Sequence, residues 1–170
     1  ILAEILYEEL GNGDPHEAHP TLYDTFLQSI GVSHHALTYQ DPACIQNLES
    51  IQTSLLTNNW AYGVGLRGMG GECLCQIYLS TMHAFFSENP DIIAIQDRIA
   101  WKFWDIHIGE VDLHHQQLMR EAINEAITER PDITNDLLNG YLQSKTAWDS
   151  YWTHIFATAK EVANDKCIAS

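Results

Sequence analysis

Residues 104–115 read W-D-I-H-I-G-E-V-D-L-H-H and place three histidines and three carboxylates in twelve residues of a helical pattern. Imidazole and carboxylate together suit iron, manganese or zinc. On an unbroken helix, His107, Glu110 and His114 fall within about 60° of one another. Asp112 and His115 form a second pair at i, i+3, but His107 stands five residues before Asp112. One π-type turn would bring that interval onto one face, and Gly109 lies inside it. Spacing alone leaves both groupings open, and a solvated polar face beside them.

Two other places carry the same chemistry. Glu72 lies in G-L-R-G-M-G-G-E-C-L-C-Q-I-Y-L, inside the most apolar segment of the chain. A buried carboxylate needs a cation, a strong hydrogen bond or a proton. Arg67 is five residues earlier, about 140° round an α-helix, and is poorly placed to pair with it. Glu9 and His19 flank the break G-N-G-D-P, with Glu8 and His16 as alternatives to each.

The elements that must position these groups are helical. Residues 2–10, 16–30, 42–57 and 60–87 show apolar residues at helical spacing, and the glycines at 63, 65, 68, 70 and 71 allow close backbone approach in the last of these. Asp41-Pro42 is an N-cap followed by a first-turn proline. A further helix starts at Pro90-Asp91 and runs into the opening stretch. Glu129-Arg130-Pro131-Asp132 breaks the chain before a long final helix with Leu138, Tyr141, Trp148, Trp152 and Ile155 as its stripe. No alternating strand pattern, repeat or low-complexity tract is present. The pattern predicts an all-α helical bundle, one domain over residues 1–170.

Bulk properties narrow the function. A formal charge of −15 argues against nucleic acid and anionic membranes as partners. Cys44, Cys73, Cys75 and Cys167 form no C-x-x-C pair, which points to thiols buried as small hydrophobes in a reducing, cytoplasmic setting. No phosphate-binding glycine loop or nucleophile elbow appears. The chain starts at Ile1 in a helical pattern, which suggests that a segment, with a helix, precedes it.

Taken together, Y-E-E-L-G-N-G-D-P-H-E-A-H-P-T-L-Y, G-x-x-G-x-x-x-E and H-I-G-E-V-D-L-H-H resemble the haem-oxygenase-like diiron oxidases and oxygenases. The resemblance covers most of residues 1–120. It implies a haem-oxygenase-like helical bundle with two Fe(II) ions and O2 as cofactors. By that resemblance Glu9, His19, Glu72, His107, Asp112 and His115 are the metal ligands, Glu72 also serving catalysis. The sequence departs from the family's H-x3-D-x2-H at His107, where H-x4-D stands; a bulge at Gly109 would absorb the extra residue, and otherwise His114 replaces His115.

The family acts on amino acids or fatty acids in natural-product pathways, and one resembling type turns a tryptophan-derived amino acid into a nitrile. The resemblance therefore implies a small-molecule substrate, here a free amino acid with a large side chain such as a tryptophan derivative, giving a nitrile or a C–C or C–N cleavage product. An external reductant and homodimerisation go with it. Arg67 would hold the substrate carboxylate, and Phe103, with Trp60, Tyr62 and Trp104, would line an aromatic-accepting pocket beside the glycines. Three other classes compete: a fatty-acid-cleaving diiron oxidase, a metal-free thiaminase-type hydrolase on the same fold using Cys73 or Cys75, and a non-enzymatic helical binding protein.

Overall fold

A computed structural model describes residues 1–33 and 40–168, with the side chains of residues 110–112 and 162–168 outside the description. Every regular element among the described residues is helical. In chain order these are α1 (Leu2–Glu9), α2 (His19–Ser29), α3 (Pro42–Thr57), α4 (Trp60–Gly63), a π-helical run (Val64–Glu72), α5 (Cys73–Glu88), α6 (Pro90–Ile93), a 3-10 turn (Gln96–Arg98), α7 (Lys102–Ile108), α8 (Glu110–Glu129), a second 3-10 turn (Pro131–Ile133) and α9 (Thr134–Ile168). None is long and apolar enough to cross a membrane.

The chain divides into two compact units: Ile1–Tyr39 with Gly71–Asp132, and Gln40–Gly70 with Ile133–Ser170. In the first, α7 packs against α2, α5 and α8. Its core is aromatic. Phe26 and Trp104 are fully buried, Trp104 standing edge-on to Phe26, Phe86 and Phe103 at centroid distances of 5.2, 5.2 and 5.4 Å. Edge-to-face packing of this kind adds to the area term and fixes orientation, which a Leu core does less well. Ser29 Oγ donates to the Phe26 carbonyl and accepts from the Ala100 amide, tying the end of α2 to the chain entering α7.

The second unit is built on close helix approach. Asp41 caps α3, its Oδ1 accepting from the amides of Ala43 and Cys44 at 2.9 and 3.1 Å, as the Asp-Pro signal predicts. Asn47 Nδ2 donates to the Ala147 carbonyl at 3.0 Å and holds α3 to α9. A Cβ on Gly65 would stand 2.0 Å from the Leu137 carbonyl oxygen, one on Gly140 2.1 Å from that of Tyr62, and one on Gly70 2.1 Å from the Ser144 Cβ. Gly65 and Gly140 thus admit a helix backbone, and Gly70 admits the Ser144 side chain. This corrects the expectation of a substrate pocket beside Gly65 and Gly70, because α9 fills that space.

The long apolar helix expected over 60–87 is three pieces. Its middle winds as a π-helix from Val64, and the π register ends at Glu72. Four glycines in this run lower the advantage of α over π geometry, and such turns gather at functional sites.

Candidate metal centre

All of the candidate donors discussed here lie in the first unit. Glu8 and Glu9 are at the C-terminal end of α1. The chain then turns through Gly11, Asn12 and Gly13, all at positive φ. At Gly11 (φ +83°) a Cβ would also meet the Asp14 carbonyl at 2.2 Å, so the G-N-G-D-P break is a requirement of backbone geometry. Tyr7 Oη donates to the Asn12 carbonyl at 2.7 Å and closes the turn. The result sets His19, the first residue of α2, with Nδ1 2.8 Å from Glu9 Oε2.

α7 supplies His107. Its Nδ1 lies 2.6 Å from the Phe103 carbonyl, which can only accept, so Nδ1 carries the proton and Nε2 keeps its lone pair. The His107 ring stands 4.5 Å from that of His19 and 4.2 Å from that of Phe103. Burial, and then the nearby His19, press the His107 pKa below its ordinary value against the pull of the Phe103 carbonyl and Glu9, so the ring is neutral, the form that binds metal. Lys102, the first residue of α7, pairs with Glu17 in the segment before α2.

The helix expected through residues 104–115 is broken. Gly109 is extended, with φ −91° and ψ −157°, and α8 begins at the next residue. A π-turn was the expected device; the structure uses a break, which resets the phase between His107 and His115. A Cβ on Gly109 would come 2.6 Å from the Asp105 carbonyl. Gly109→Ala therefore has to move that carbonyl, and we expect a lower Tm together with at least a roughly tenfold loss of metal affinity, read by titration. The break also separates the alternatives: His114 is exposed, whereas His115 is buried, at 1 % exposure. Glu110 and Asp112 lie outside the described side chains.

His115 Nε2 lies 2.6 Å from Glu8 Oε2. A carboxylate accepts, so the proton sits on Nε2. The other nitrogen, Nδ1, is buried without a hydrogen-bond partner and faces Glu72 Oε2 at 3.7 Å. Glu8 is thus the partner of His115 from behind, a role spacing alone did not assign. The signal was the pair Glu8-Glu9, whose side chains leave one helix end about 100° apart and can serve two histidines. Glu72 is half-buried, so its desolvation is milder than the apolar context suggested.

The donors fall into two groups, Glu9 with His19 and His107, and Glu9 with Glu72 and His115, the ligand atoms of each lying within 4.8 Å of one another. Glu9 belongs to both. Burial pushes the Glu9 carboxyl up, but contact with His19 and the neighbouring His107 and His115 outweigh it, and its pKa lies below the ordinary value. Imidazole nitrogens and carboxylate oxygens gathered in this way fit a hard-to-borderline ion such as iron. Of the expected substrate contacts, Phe103 borders His107, whereas Arg67 is exposed and belongs to the second unit. Burial first, and then Glu72, raise the Cys73 thiol pKa against the pull of Arg120, which disfavours the thiolate a nucleophile needs.

No curated protein and no solved structure gives a match to the chain. A family described as iron-containing redox enzymes matches it over residues 1–149, nearly its whole length. With its helical architecture and clustered imidazole and carboxylate donors, the chain belongs to this family of iron-containing redox enzymes and has its haem-oxygenase-like fold.

Proposed function

We propose that the protein is a non-haem diiron oxidase or oxygenase that uses O2 to transform a free amino acid. One observation carries the dinuclear reading: the two donor groups share Glu9, a carboxylate with two oxygens to offer. Glu9, His19 and His107 would hold one ion, and Glu9, Glu72 and His115 the other, with Asp112 as a further ligand. Iron(II) in such a centre supplies the electrons and open coordination positions that O2 chemistry requires.

The chain's own residues do the rest. Glu9 and Glu72 neutralise cation charge. The Phe103 carbonyl fixes the tautomer of His107, and Glu8 fixes that of His115, so each presents a lone pair without reorganisation. Phe103 lies against His107 at 4.2 Å and packs on Tyr23 at 4.8 Å, and this pair would form an aromatic wall that offers a face to an aromatic side chain. That wall favours an amino acid with a large side chain, tryptophan derivatives among them, over a linear fatty acid. Conversion to a nitrile, or C–C or C–N cleavage, in natural-product biosynthesis belongs to the same proposal, and the electrons not supplied by substrate come from an external reductant.

The test is anaerobic Fe(II) titration followed by O2 consumption with amino acids and with fatty acids. Uptake of two irons per chain, with O2 consumption stimulated by an aromatic amino acid, supports the proposal. Stimulation by fatty acids alone transfers it to the rival substrate, and no iron uptake overturns it. Glu8→Gln probes the support: it keeps the size but weakens the acceptor, and we expect iron affinity to fall about 10- to 100-fold with the fold intact by circular dichroism.

A further inference from the structure

A second constellation of donors lies within the other unit and takes no part in the centre above. Asp41 is the N-cap of α3 and Cys44 is the third residue of that helix, so their side chains share the first turn. His154 comes from α9, with Nε2 3.0 Å from Asp41 Oδ1. A carboxylate oxygen, the Cys44 sulfur and a His154 nitrogen lie within 4.8 Å of one another.

An ordinary capped helix with an ion pair would account for Asp41 and His154. The Cys44 thiol also reaches the Asp41 carboxylate, so sulfur, oxygen and nitrogen donors converge on one point. His154 Nε2 is itself buried, and its pairing with Asp41 at 3.0 Å falls short of good hydrogen-bond geometry. Beside the three donors is a cleft of about 320 Å³ lined by Ser50, Ser150 and Tyr151.

We propose that Asp41, Cys44 and His154 form a site for a borderline divalent cation of the zinc class, with the cleft supplying a fourth position for water or a small ligand. One sulfur, one imidazole and one carboxylate are the donor types that zinc takes, and three protein ligands with an open position is its non-structural arrangement. A thiolate and a carboxylate balance the charge of a divalent ion, and the acidic chain draws cations to it. Without a cation, burial and then the Asp41 charge keep the Cys44 proton in place; a bound cation releases it. Occupation would pin the start of α3 to α9.

Sulfur makes this site separable from the iron centre, whose donors are all nitrogen and oxygen. The full chain is titrated with Co2+, and thiolate-to-cobalt charge transfer is followed in the near ultraviolet. The expected result is one such band, bleached by Zn2+, absent in Cys44→Ser and present in Cys73→Ser. Asp41→Asn, which keeps the helix cap, and His154→Gln should each weaken Co2+ binding at that band at least roughly tenfold. No charge-transfer band, a band that survives Cys44→Ser, or one that Zn2+ does not displace overturns the proposal.

Discussion

Glu9→Gln should empty both halves of the proposed diiron centre, whereas Glu72→Gln should empty one. Glu9 is the member common to both donor groups, and Glu72 belongs to a single group. The amide keeps the shape of the carboxylate but loses the charge that offsets two cations and that faces His19 Nδ1 at 2.8 Å. Iron content should fall from two per chain to a trace in Glu9→Gln and to one in Glu72→Gln, with O2 consumption down at least roughly 100-fold in both, since removing a direct ligand costs more than removing its outer partner. The side chain is one-third exposed, so the fold should survive, and circular dichroism checks that it does. Equal, single-ion losses in the two variants would sink the idea of a shared carboxylate, while leaving a two-iron centre with separate ligands standing.

The largest effect on stability is expected from a methyl group. Gly65→Ala would set a Cβ 2.0 Å from the Leu137 carbonyl oxygen, and Gly140→Ala one 2.1 Å from that of Tyr62. Both obstacles are backbone, which cannot rotate aside as a side chain can, so α9 has to move away from α4 and the π-helical run. That separation uncovers Ala61, Leu66 and Leu137, each at most 2 % exposed. Overpacking of this severity should cost about 3 kcal/mol or more for either substitution, read as the urea midpoint at constant slope. Gly63→Ala is the control. Its Cβ would meet only Leu55 Cδ2 at 3.6 Å, an ordinary contact, and the gain in helix propensity makes it neutral or slightly stabilising. If Gly65→Ala and Gly63→Ala behave alike, the close approach of the helices is wrong.

Local rules, carried by residue type and short spacing, settled much of this protein at the level of sequence. Asp41-Pro42 starts a helix because a carboxylate followed by a residue without an amide hydrogen satisfies the first turn, and the start is where that rule puts it. The G-N-G-D-P break is local too, since only residues tolerant of positive φ can make it. The all-α class follows from apolar spacing. The donor types at Glu9, His19, Glu72, His107 and His115 were visible because imidazole and carboxylate are rare company for apolar helices.

What depends on distant neighbours was not legible. On a wheel, His107, Glu110 and His114 look equivalent to the alternative set, because a wheel assumes an unbroken helix; the extended Gly109 separates α7 from α8 and turns His115 inward while His114 stays exposed. Glu8 and Glu9 are adjacent in sequence and alike in chemistry, and only the tertiary arrangement gives one to the shared position and the other to the back of His115. The glycines of residues 63–71 advertise close approach without naming what approaches. A backbone contact leaves no trace in side-chain pattern, so α9 at Gly65 could be found only in three dimensions. Donor chemistry is a property of residues and was present in the sequence. Convergence is a property of how helices break and pack, which the tertiary structure alone decides.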